Sequence, residues 1–165
     1  GILTNSLSTT DVAIVHSGYV NYRKPLLENG ITLWELRAEA GQQERIHWFK
    51  GKSRASLHAK TFVIDDDRTF IGSVNLDGRS ILQNTEIGLL IESESLNQQL
   101  SQLFASWVSG DSAWHVSLNE EEDLQWQARD ANDHTPLTVD HDPETSRWQR
   151  FKVWMLSWLP IESQI

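Results

Sequence analysis

Residues 57–75 read LHAKTFVIDDDRTFIGSVN, two apolar runs on either side of three consecutive aspartates. The segments 57–65 and 68–73 are short, rich in β-branched and aromatic residues, and bounded by turn-forming residues, which is typical of strands. The aspartates between them favour a tight turn, so the two strands are expected to form an antiparallel hairpin. A third strand is predicted at 86–92.

Polar side chains gather at one end of this predicted hairpin. Side chains two apart on a strand point the same way, so His58 and Lys60 share a face, as do Ser73 and Asn75. If the chain turns at 65–68, the end of the second strand returns to the level of His58. An imidazole, an ammonium group, a hydroxyl and an amide then converge.

Two carboxylates accompany the cluster. Asp65 follows Lys60 by five positions, with the opposite parity and at the turn, so it is not expected to contact the same substrate atom. Glu86 begins the third strand and is placed to accept a hydrogen bond from the far ring nitrogen of His58. Such a bond would fix the tautomer of the imidazole.

These residue types suit phosphodiester transfer. A phosphodiester is an anion, and Lys60, Ser73 and Asn75 supply a cation and two neutral donors for its non-bridging oxygens. An imidazole whose other N–H is held by a carboxylate can attack phosphorus directly. The sequence contains no carboxylate-rich cage, so the expected reaction uses neither a metal nor a cofactor. Each feature alone is common in strands and turns, and the chemistry is indicated by their conjunction.

The conjunction resembles a known family. Residues 58–65 fit the HxKx4D motif of the phospholipase D superfamily, and residues 72–75 fit its usual GSxN continuation. The chain departs from the relatives at Gly78, where they usually show proline, and at Pro25, where they favour alanine. The chain further resembles the C-terminal half of bacterial cardiolipin synthase C-type proteins at Thr4-Asn5-Ser6, His16-Ser17-Gly18-Tyr19, Tyr22-Arg23-Lys24, Ser56-Leu57-His58, Asn84-Thr85-Glu86 and Leu159-Pro160-Ile161-Glu162.

The resemblance implies a role for each matching residue. His58 is expected to be the nucleophile that forms a phosphohistidine, or the general acid that serves its counterpart. Glu86 is expected to orient His58, and Asp65 to be a structural member of the motif. The phosphate is expected to be held by Lys60, Ser73 and Asn75. Sites of this family use two such halves, so a missing N-terminal half or a second copy of the chain is expected to face this one.

Four further residues are candidates for the surroundings of the site. For Arg79 and for Lys52 or Arg54, contact with a substrate headgroup and a place in a solvated loop are equal alternatives. His16 lies beside the apolar stripe of a predicted helix. A structural role is favoured there over a place at the rim of the site.

Composition and charge narrow the possible partners. The 165 residues suffice for one ordinary domain, and 39% hydrophobic with 22% charged residues is typical of a globular protein. The chain has no cysteine, and its start resembles the tail of a strand, from which we expect a fragment of a longer protein. The net charge of −9 argues against a nucleic-acid partner, although residues 45–60 form a basic segment without an acidic residue.

The first helix and its boundaries follow from capping residues. It is expected to begin at Thr9, Thr10 or Asp11 and to stop at Asn29-Gly30. Pro25 is expected to kink this helix or to split off its last turn.

The remaining elements give a mixed α/β fold. They are a strand at 31–37, a helix from Leu96 to Trp107, a hairpin of 114–119 with 124–129, a polar connection at 130–143 and a helix at 144–159. The predicted fold is a phospholipase D-like half, a mixed sheet flanked by helices. Residues 1–110 are assigned to the catalytic half-domain, and residues 111–165 to a C-terminal hairpin with a Trp-rich helix packed on it.

The last helix has two interpretations. Its apolar residues fall within an arc of about 100°. Packing of this stripe on the sheet is favoured. Alternatively, its tryptophans and its basic residues Arg147, Arg150 and Lys152 lie at a lipid interface.

The expected function is phosphatidyl transfer between phospholipids through a phosphohistidine, with cardiolipin as the product if the closer resemblance holds. The expected location is the bacterial inner membrane, with peripheral attachment. The alternatives are a homodimeric nuclease of the same superfamily and a non-catalytic half that completes a partner's site. A chain with a single half-site is expected to be nearly inactive as a monomer.

Overall fold

The computed structural model describes residues 1–10, 13–38, 57–58, 60–75, 80, 83–109, 111–130 and 135–158. The chain divides into two compact units. Unit 1 consists of Gly1–Leu57 and Trp107–Leu159, and unit 2 of His58–Ser106 and Pro160–Ile165. The predicted α/β class with a mixed sheet is confirmed.

Unit 1 is built on a five-stranded sheet. Its strands, in chain order, are β1 (Ile2–Asn5), β2 (Leu33–Leu36), β6 (Ala113–Leu118), β7 (Leu124–Arg129) and β8 (Pro136–Val139). They lie side by side in this same order. The β1–β2 pair is parallel and the other pairs are antiparallel. The helices of unit 1 are α1 (Ala13–Val20), α2 (Arg23–Glu28) and α4 (Arg147–Ser157).

Unit 2 is built on a three-stranded antiparallel sheet. Its strands are β3 (Lys60–Ile64), β4 (Arg68–Gly72) and β5 (Gly88–Glu92), paired in this order. The helix α3 (Glu94–Ser109) follows, and the Asn97 side-chain amide donates to the backbone oxygen of Arg68 at 2.9 Å. The predicted hairpin and third strand are confirmed, but β3 begins at Lys60 and β5 at Gly88, later than the predicted starts at residues 57 and 86, so Glu86 precedes the third strand.

One face of the unit 1 sheet carries the hydrophobic core. Leu33, Trp114, Val116 and Trp126 are buried together, and cross-strand pairing places their side chains on the same face. Tyr19 and Leu27, which are parts of α1 and α2, pack against this cluster. The two helices therefore cover the core face of the sheet.

Two sequence predictions need correction. The first helix breaks at residues 21–22, ahead of Pro25. Pro25 lies in the first turn of α2, where a missing N–H costs little, and its carbonyl accepts from Asn29. The predicted stop is confirmed, since Gly30 adopts a φ of 79° just after the helix. The polar connection at 130–143 contains the unpredicted strand β8, so the predicted C-terminal hairpin is a three-stranded meander.

A charged residue lies at the centre of the unit 1 core. The Arg23 guanidinium is 1% exposed and donates from Nε to Glu35 Oε1 at 2.8 Å. Glu35 is fully buried and also accepts from the Tyr19 hydroxyl at 2.9 Å and from Trp126 Nε1 at 3.0 Å. Three donors thus compensate the buried carboxylate, as a buried charge requires.

The other side of the Arg23 guanidinium faces the segment that follows β8. Arg23 Nη2 donates to Asp142 Oδ1 at 2.7 Å and lies 3.1 Å from Nε2 of buried His16. Burial opposes ionisation of Asp142, but its hydrogen bond with His16 and the charge of Arg23 outweigh this effect and lower its pKa to about 2. The guanidinium also lies over the rings of Tyr19 and Trp126. We call these six residues, His16, Tyr19, Arg23, Glu35, Trp126 and Asp142, the Arg23 pocket.

The aromatic stripe of the last helix does not pack on the sheet. Ser146 caps α4 in a capping box with Gln149, which explains why the helix begins at Arg147. The helix packs along α1, and Val153 is its buried residue. The stripe is exposed instead: Trp148 62%, Phe151 48%, Trp154 56%, Met155 51% and Trp158 75%. The favoured packing interpretation is therefore wrong. Across the described ranges, no helix is long and apolar enough to cross a membrane.

The first prediction concerns the buried ion pair. Glu35→Ala leaves the Arg23 guanidinium without its main counter-ion in a dry environment, so we expect the free energy of unfolding to fall by about 3–5 kcal/mol. Urea denaturation followed by tryptophan fluorescence measures it. Glu28→Ala is the matched control, because Glu28 is half exposed beside Lys24 and its loss is expected to cost at most about 0.5 kcal/mol. Equal losses in both variants would contradict the role of Glu35.

The second prediction concerns acid stability. The folded-state pKa of Asp142 is about 2, against an ordinary value of 3.8. Its contribution to stability is therefore present above about pH 4 and is lost as the pH falls towards 2. We expect Asp142→Asn to lower stability near neutral pH and to flatten the loss of stability across this window. Urea denaturation at several pH values tests this, with exposed Asp123→Asn as a control that retains the wild-type slope.

Candidate active site

The register of the unit 2 sheet brings the predicted site residues to one end. Lys60 pairs with Gly72 across β3 and β4, and Gly72 pairs with Gly88 across β4 and β5. Lys60 is the first residue of β3, and Ser73 directly follows β4. The hairpin therefore returns Ser73 to the level of the His58–Lys60 segment, as the sequence predicts.

His58 and Lys60 are held by a local contact. Lys60 Nζ donates to the backbone oxygen of His58 at 2.8 Å, so the ammonium group turns back towards His58. The imidazole is exposed, and no described residue is hydrogen-bonded to it. Within unit 1, the Asn5 side chain bonds to both backbone groups of Leu57, at 2.7 and 2.8 Å. The chain is thus tied to the end of β1 immediately before His58.

Ser73 is bonded to Glu86. The Ser73 hydroxyl donates to Glu86 Oε2, and its oxygen accepts from the backbone N–H of Ile87 at 3.1 Å. The Ser73 backbone N–H donates to the Ile87 carbonyl at 2.9 Å. The hydroxyl hydrogen is therefore committed to a carboxylate in this structure. The sequence predicts Ser73 as a phosphate donor, and this role stays a prediction.

Glu86 is an anion with several donors around it. It precedes β5 by two residues, and its Oε1 accepts from Asn84 Nδ2 at 3.1 Å. The hydrogen bond from Ser73 lowers its pKa most, followed by the bond from Asn84, with smaller contributions from Ser80 and from the charge of Lys60. Among the described residues its carboxylate is bonded to these donors and not to His58. The predicted orientation of His58 by Glu86 stays a prediction.

The sequence alone does not mark Asn84 as a site residue. It lies in a turn two residues before Glu86 and supplies the second hydrogen bond that lowers the pKa of that carboxyl. Its spacing from Glu86 was visible, but nothing in the sequence alone showed that its amide turns towards the carboxylate.

Asp65 lies at the far end of β3. It occupies the left-handed region at φ 52°, which aspartate tolerates in turns, and it pairs with Arg68. Five residues of extended chain separate it from Lys60 by about 16 Å. The structure thus confirms its position at the turn and its exclusion from the polar end of the hairpin.

Paired glycines make room at the same end of the sheet. A Cβ on Gly72 would lie 2.6 Å from the Ile87 carbonyl oxygen, and a Cβ on Gly88 would clash with the Phe70 ring. The Phe70 ring therefore lies over the two glycines, and it also packs against Phe62 at 5.5 Å. The close approach of β4 and β5 explains how Ser73 and Glu86 come within hydrogen-bonding distance.

The structure describes only some of the other candidate residues. Asn75 is described and exposed, whereas Arg79, Lys52 and Arg54 lie outside the described residues. His16 is buried in the Arg23 pocket of unit 1, in agreement with the structural role that the sequence favours. In the part of the chain that the structure describes, no three His, Asp or Glu side chains cluster as metal ligands would. The expected independence from a metal remains a prediction.

Comparison with known proteins identifies the fold. A family model described as "Cardiolipin synthase, PLD-like domain", where PLD denotes phospholipase D, matches residues 2–108. The chain belongs to this PLD-like family. The predicted resemblance is therefore confirmed, and the match covers β1 to α3 with the whole polar end of the hairpin.

Individual relatives agree with the family match. The chain is 44% identical to cardiolipin synthase C of Escherichia coli (strain K12) over 163 residues, which are 98% of this chain and 34% of that protein. It is 31% identical to an uncharacterized protein of Helicobacter pylori (strain J99 / ATCC 700824), over 93% of this chain and 29% of the relative. The chain thus spans about a third of these relatives.

A nuclease is also among the relatives. The chain is 34% identical to 5'-3' exonuclease PLD4 of Mus musculus over 88 residues, 52% of this chain and 18% of that protein. No solved structure matches the chain. Sequences similar to this chain thus occur in a protein named as a cardiolipin synthase and in one named as an exonuclease.

The third prediction tests the bond between Ser73 and Glu86. Ser73→Ala removes the largest of the interactions that lower the pKa of Glu86, so we expect this pKa to rise towards its ordinary value of 4.5. Titration of the Glu86 carboxyl carbon by NMR measures the change. Ser95→Ala, which removes an exposed hydroxyl from α3 of the same unit, is expected to leave the titration unchanged. An unaltered pKa in Ser73→Ala would show that the bond does not form in solution.

Proposed function

We propose that this chain supplies one half of the active site of an enzyme that transfers phosphatidyl groups between phospholipids. The observation that carries the proposal is the sheet register, which collects Lys60, Ser73 and Glu86 at the end of β3 where His58 lies. Membership of the PLD-like family and 44% identity to a cardiolipin synthase support the lipid substrate.

The proposed reaction has two displacements at phosphorus. In the first, a ring nitrogen of His58 attacks the phosphodiester, the bond from phosphorus to the leaving alcohol breaks, and an acid of the facing half-site protonates that alcohol. In the second, an acceptor hydroxyl attacks the phosphohistidine and gives its proton to the same facing group. The phosphorus–nitrogen bond then breaks, and the imidazole is released. Two half-sites are needed because the entering and leaving groups lie on opposite sides of phosphorus.

The donors around His58 hold the phosphate in this scheme. Lys60 neutralises a non-bridging oxygen, and Asn75 donates to another. The Ser73 hydroxyl can serve as the third donor only if it rotates away from Glu86 and donates its hydrogen bond to the phosphate instead. The released carboxylate would then be available to the far nitrogen of His58, so that arrival of the phosphate and orientation of the nucleophile are coupled. An ionised carboxylate best stabilises the imidazolium, and the hydrogen bonds from Asn84 and Ser80 and the charge of Lys60 would still lower the pKa of Glu86 once the Ser73 bond is lost.

A facing half-site is supported by the surface of unit 2. Six large apolar side chains of its sheet region are exposed: Val63, Ile64, Ile71, Ile87, Leu89 and Leu90. They lie on both faces of the three-stranded sheet, with Ile71 and Leu89 on one face and Ile64 and Leu90 on the other, so either face offers apolar surface to a partner. The facing half would come from a longer form of the protein or from a second copy of the chain, and a lone monomer is expected to be nearly inactive.

The acceptor is proposed from a relative that is named as a lipid enzyme. The relative is named cardiolipin synthase C, so we assign phosphatidylglycerol as the acceptor and cardiolipin as the product. The corresponding location is the surface of the bacterial inner membrane, with peripheral attachment.

Two alternatives remain outcomes of the test. The relative named as an exonuclease favours a nuclease with the same half-site, whereas the net charge of −9 argues against a polyanionic substrate. A non-catalytic half that completes a partner's site is the other alternative. The presence of His58, Lys60 and Glu86 argues against it.

The fourth prediction is the loss of lipid product in His58→Ala. The longest natural form of the protein is assayed on vesicles of phosphatidylethanolamine and phosphatidylglycerol, and separately on single-stranded DNA. Wild type is expected to form cardiolipin, and His58→Ala to lose at least about a thousandfold in rate, because the nucleophile is removed. His141→Ala, an exposed histidine beside Asp140, is the matched control and is expected to retain the rate.

The outcomes separate the alternatives. Cleavage of DNA that depends on His58, without lipid product, would establish the nuclease. Lipid turnover that survives in His58→Ala would support the non-catalytic half. Full turnover by a proven monomer of this chain would overturn the requirement for two half-sites.

A further inference from the structure

The exposed face of α4 is a continuous aromatic ladder. Ring centroids are 5.6 Å apart from Trp148 to Phe151, 6.0 Å from Phe151 to Trp154 and 5.6 Å from Trp154 to Trp158. At about 100° per residue, the four rings and Met155 cover an arc of about 120°. We call this set the aromatic face.

A different side of α4 contacts the protein interior, so the aromatic face is not the side by which the helix packs on the core. The buried residue Val153 lies roughly opposite Phe151 around the helix axis, and the helix packs along α1. The capping box at Ser146 fixes where the helix begins. The side of α4 that carries Val153 therefore packs on unit 1, and the aromatic face on the opposite side is exposed.

Basic residues border the aromatic face. Residues 145–158 contain Arg147, Arg150 and Lys152 and no acidic residue, in a chain with a net charge of −9. Arg150 and Lys152 lie on opposite sides of the arc, and the Lys152 ammonium lies 5.3 Å from the Trp148 ring centroid. An acidic protein thus carries a local cationic surface around the exposed aromatic face of α4.

We infer that the aromatic face of α4 docks this chain on an anionic phospholipid bilayer. Tryptophan and phenylalanine rings enter the boundary between headgroups and acyl chains, while flanking basic side chains reach the lipid phosphates. The helix has 11 residues and a length of about 16 Å, so it lies in the plane of the interface. The identity of the surface rests on the proposed lipid function.

The charges favour lipid over a second copy of the chain. A partner copy would bring the same three cations against the same ring face, with no acid in this segment to compensate them. Anionic headgroups supply that compensation and are offered by any membrane that contains phosphatidylglycerol. The bilayer is therefore the occupant that satisfies both the apolar and the charged parts of the surface.

Vesicle binding tests the inference without catalysis. The full chain in the His58→Ala background is floated with vesicles of phosphatidylcholine alone or with about a third phosphatidylglycerol, at about 0.1 M and 0.5 M salt. We expect Phe151→Gln with Trp154→Gln to lower partitioning about tenfold or more. Arg147→Gln with Lys152→Gln is expected to lower binding to anionic vesicles about tenfold at low salt, with no effect on neutral vesicles.

A control variant on another helix shows whether the effect is specific to α4. Leu103→Gln alters an exposed apolar residue of α3, a helix without basic residues, and is expected to bind as the parent does. All substituted side chains are exposed, and far-ultraviolet circular dichroism of each variant checks that its helices persist. Parent-like binding by the aromatic variant would overturn the inference. Dissociation of a self-associated chain by that variant, with vesicle binding unchanged, would assign the face to a second copy.

The test also separates this inference from the proposed function. If the longest natural form of the protein binds vesicles through the aromatic face but forms no lipid product, the proposed function is overturned and the docking surface stays in place. Conversely, if lipid product forms and the α4 substitutions leave vesicle binding unchanged, the docking surface is overturned and the proposed function stays in place.

Discussion

The antiparallel register of β3, β4 and β5 is the constraint on which the candidate site depends. A three-residue turn at 65–67 pairs Ile64 with Arg68, and this pairing alone determines that Gly72 lies opposite Lys60. A shift by one residue would move Lys60 to the other face of the sheet and separate it from the Ser73 end. Glycine at positions 72 and 88 then permits the close approach that bonds Ser73 to Glu86. The polar end of the hairpin is thus a product of turn chemistry and strand pairing.

Unit 1 depends on a different interaction, the burial of Arg23. A guanidinium removed from water requires compensating charge, and the compensation comes from Glu35 in β2 and Asp142 beyond β8. The family match ends at residue 108, yet Trp126 and Asp142 complete this pocket. The segment after the matched domain is therefore an integral part of unit 1. Its strands extend the same sheet, and its carboxylate balances the same buried cation.

Much of the fold could be predicted from local pattern, and the failures have physical causes. Two-residue alternation and the aspartate turn determine the hairpin, so its strands and the placement of Asp65 followed from sequence. β8 was missed because Pro136 opens it among polar residues, and proline is tolerated there as the first residue of an edge strand. The break before Pro25 was misplaced because proline is tolerated in a first turn.

In the candidate site, residue spacing along one strand could be read from the sequence, whereas contacts between strands could not. Spacing identified the residues, because a strand repeats every two positions. The bond between Ser73 and Glu86 depends on the register of β4 with β5, and the connection from 74 to 87 does not encode that register. Asn84 was missed for the same reason, because the direction of a loop amide has no periodicity from which it could be predicted.

The terminal helix shows the limit of periodicity most clearly. A stripe of large apolar side chains predicts that one face of a helix avoids water. Burial in a protein core and burial at a lipid interface are both consistent with that prediction. The structure distinguishes them through Val153, since the residue that contacts the protein interior lies across the helix from the stripe. Once the supporting side of α4 is known, the aromatic face must meet something outside unit 1. The basic residues on both of its borders then determine the charge of that surface.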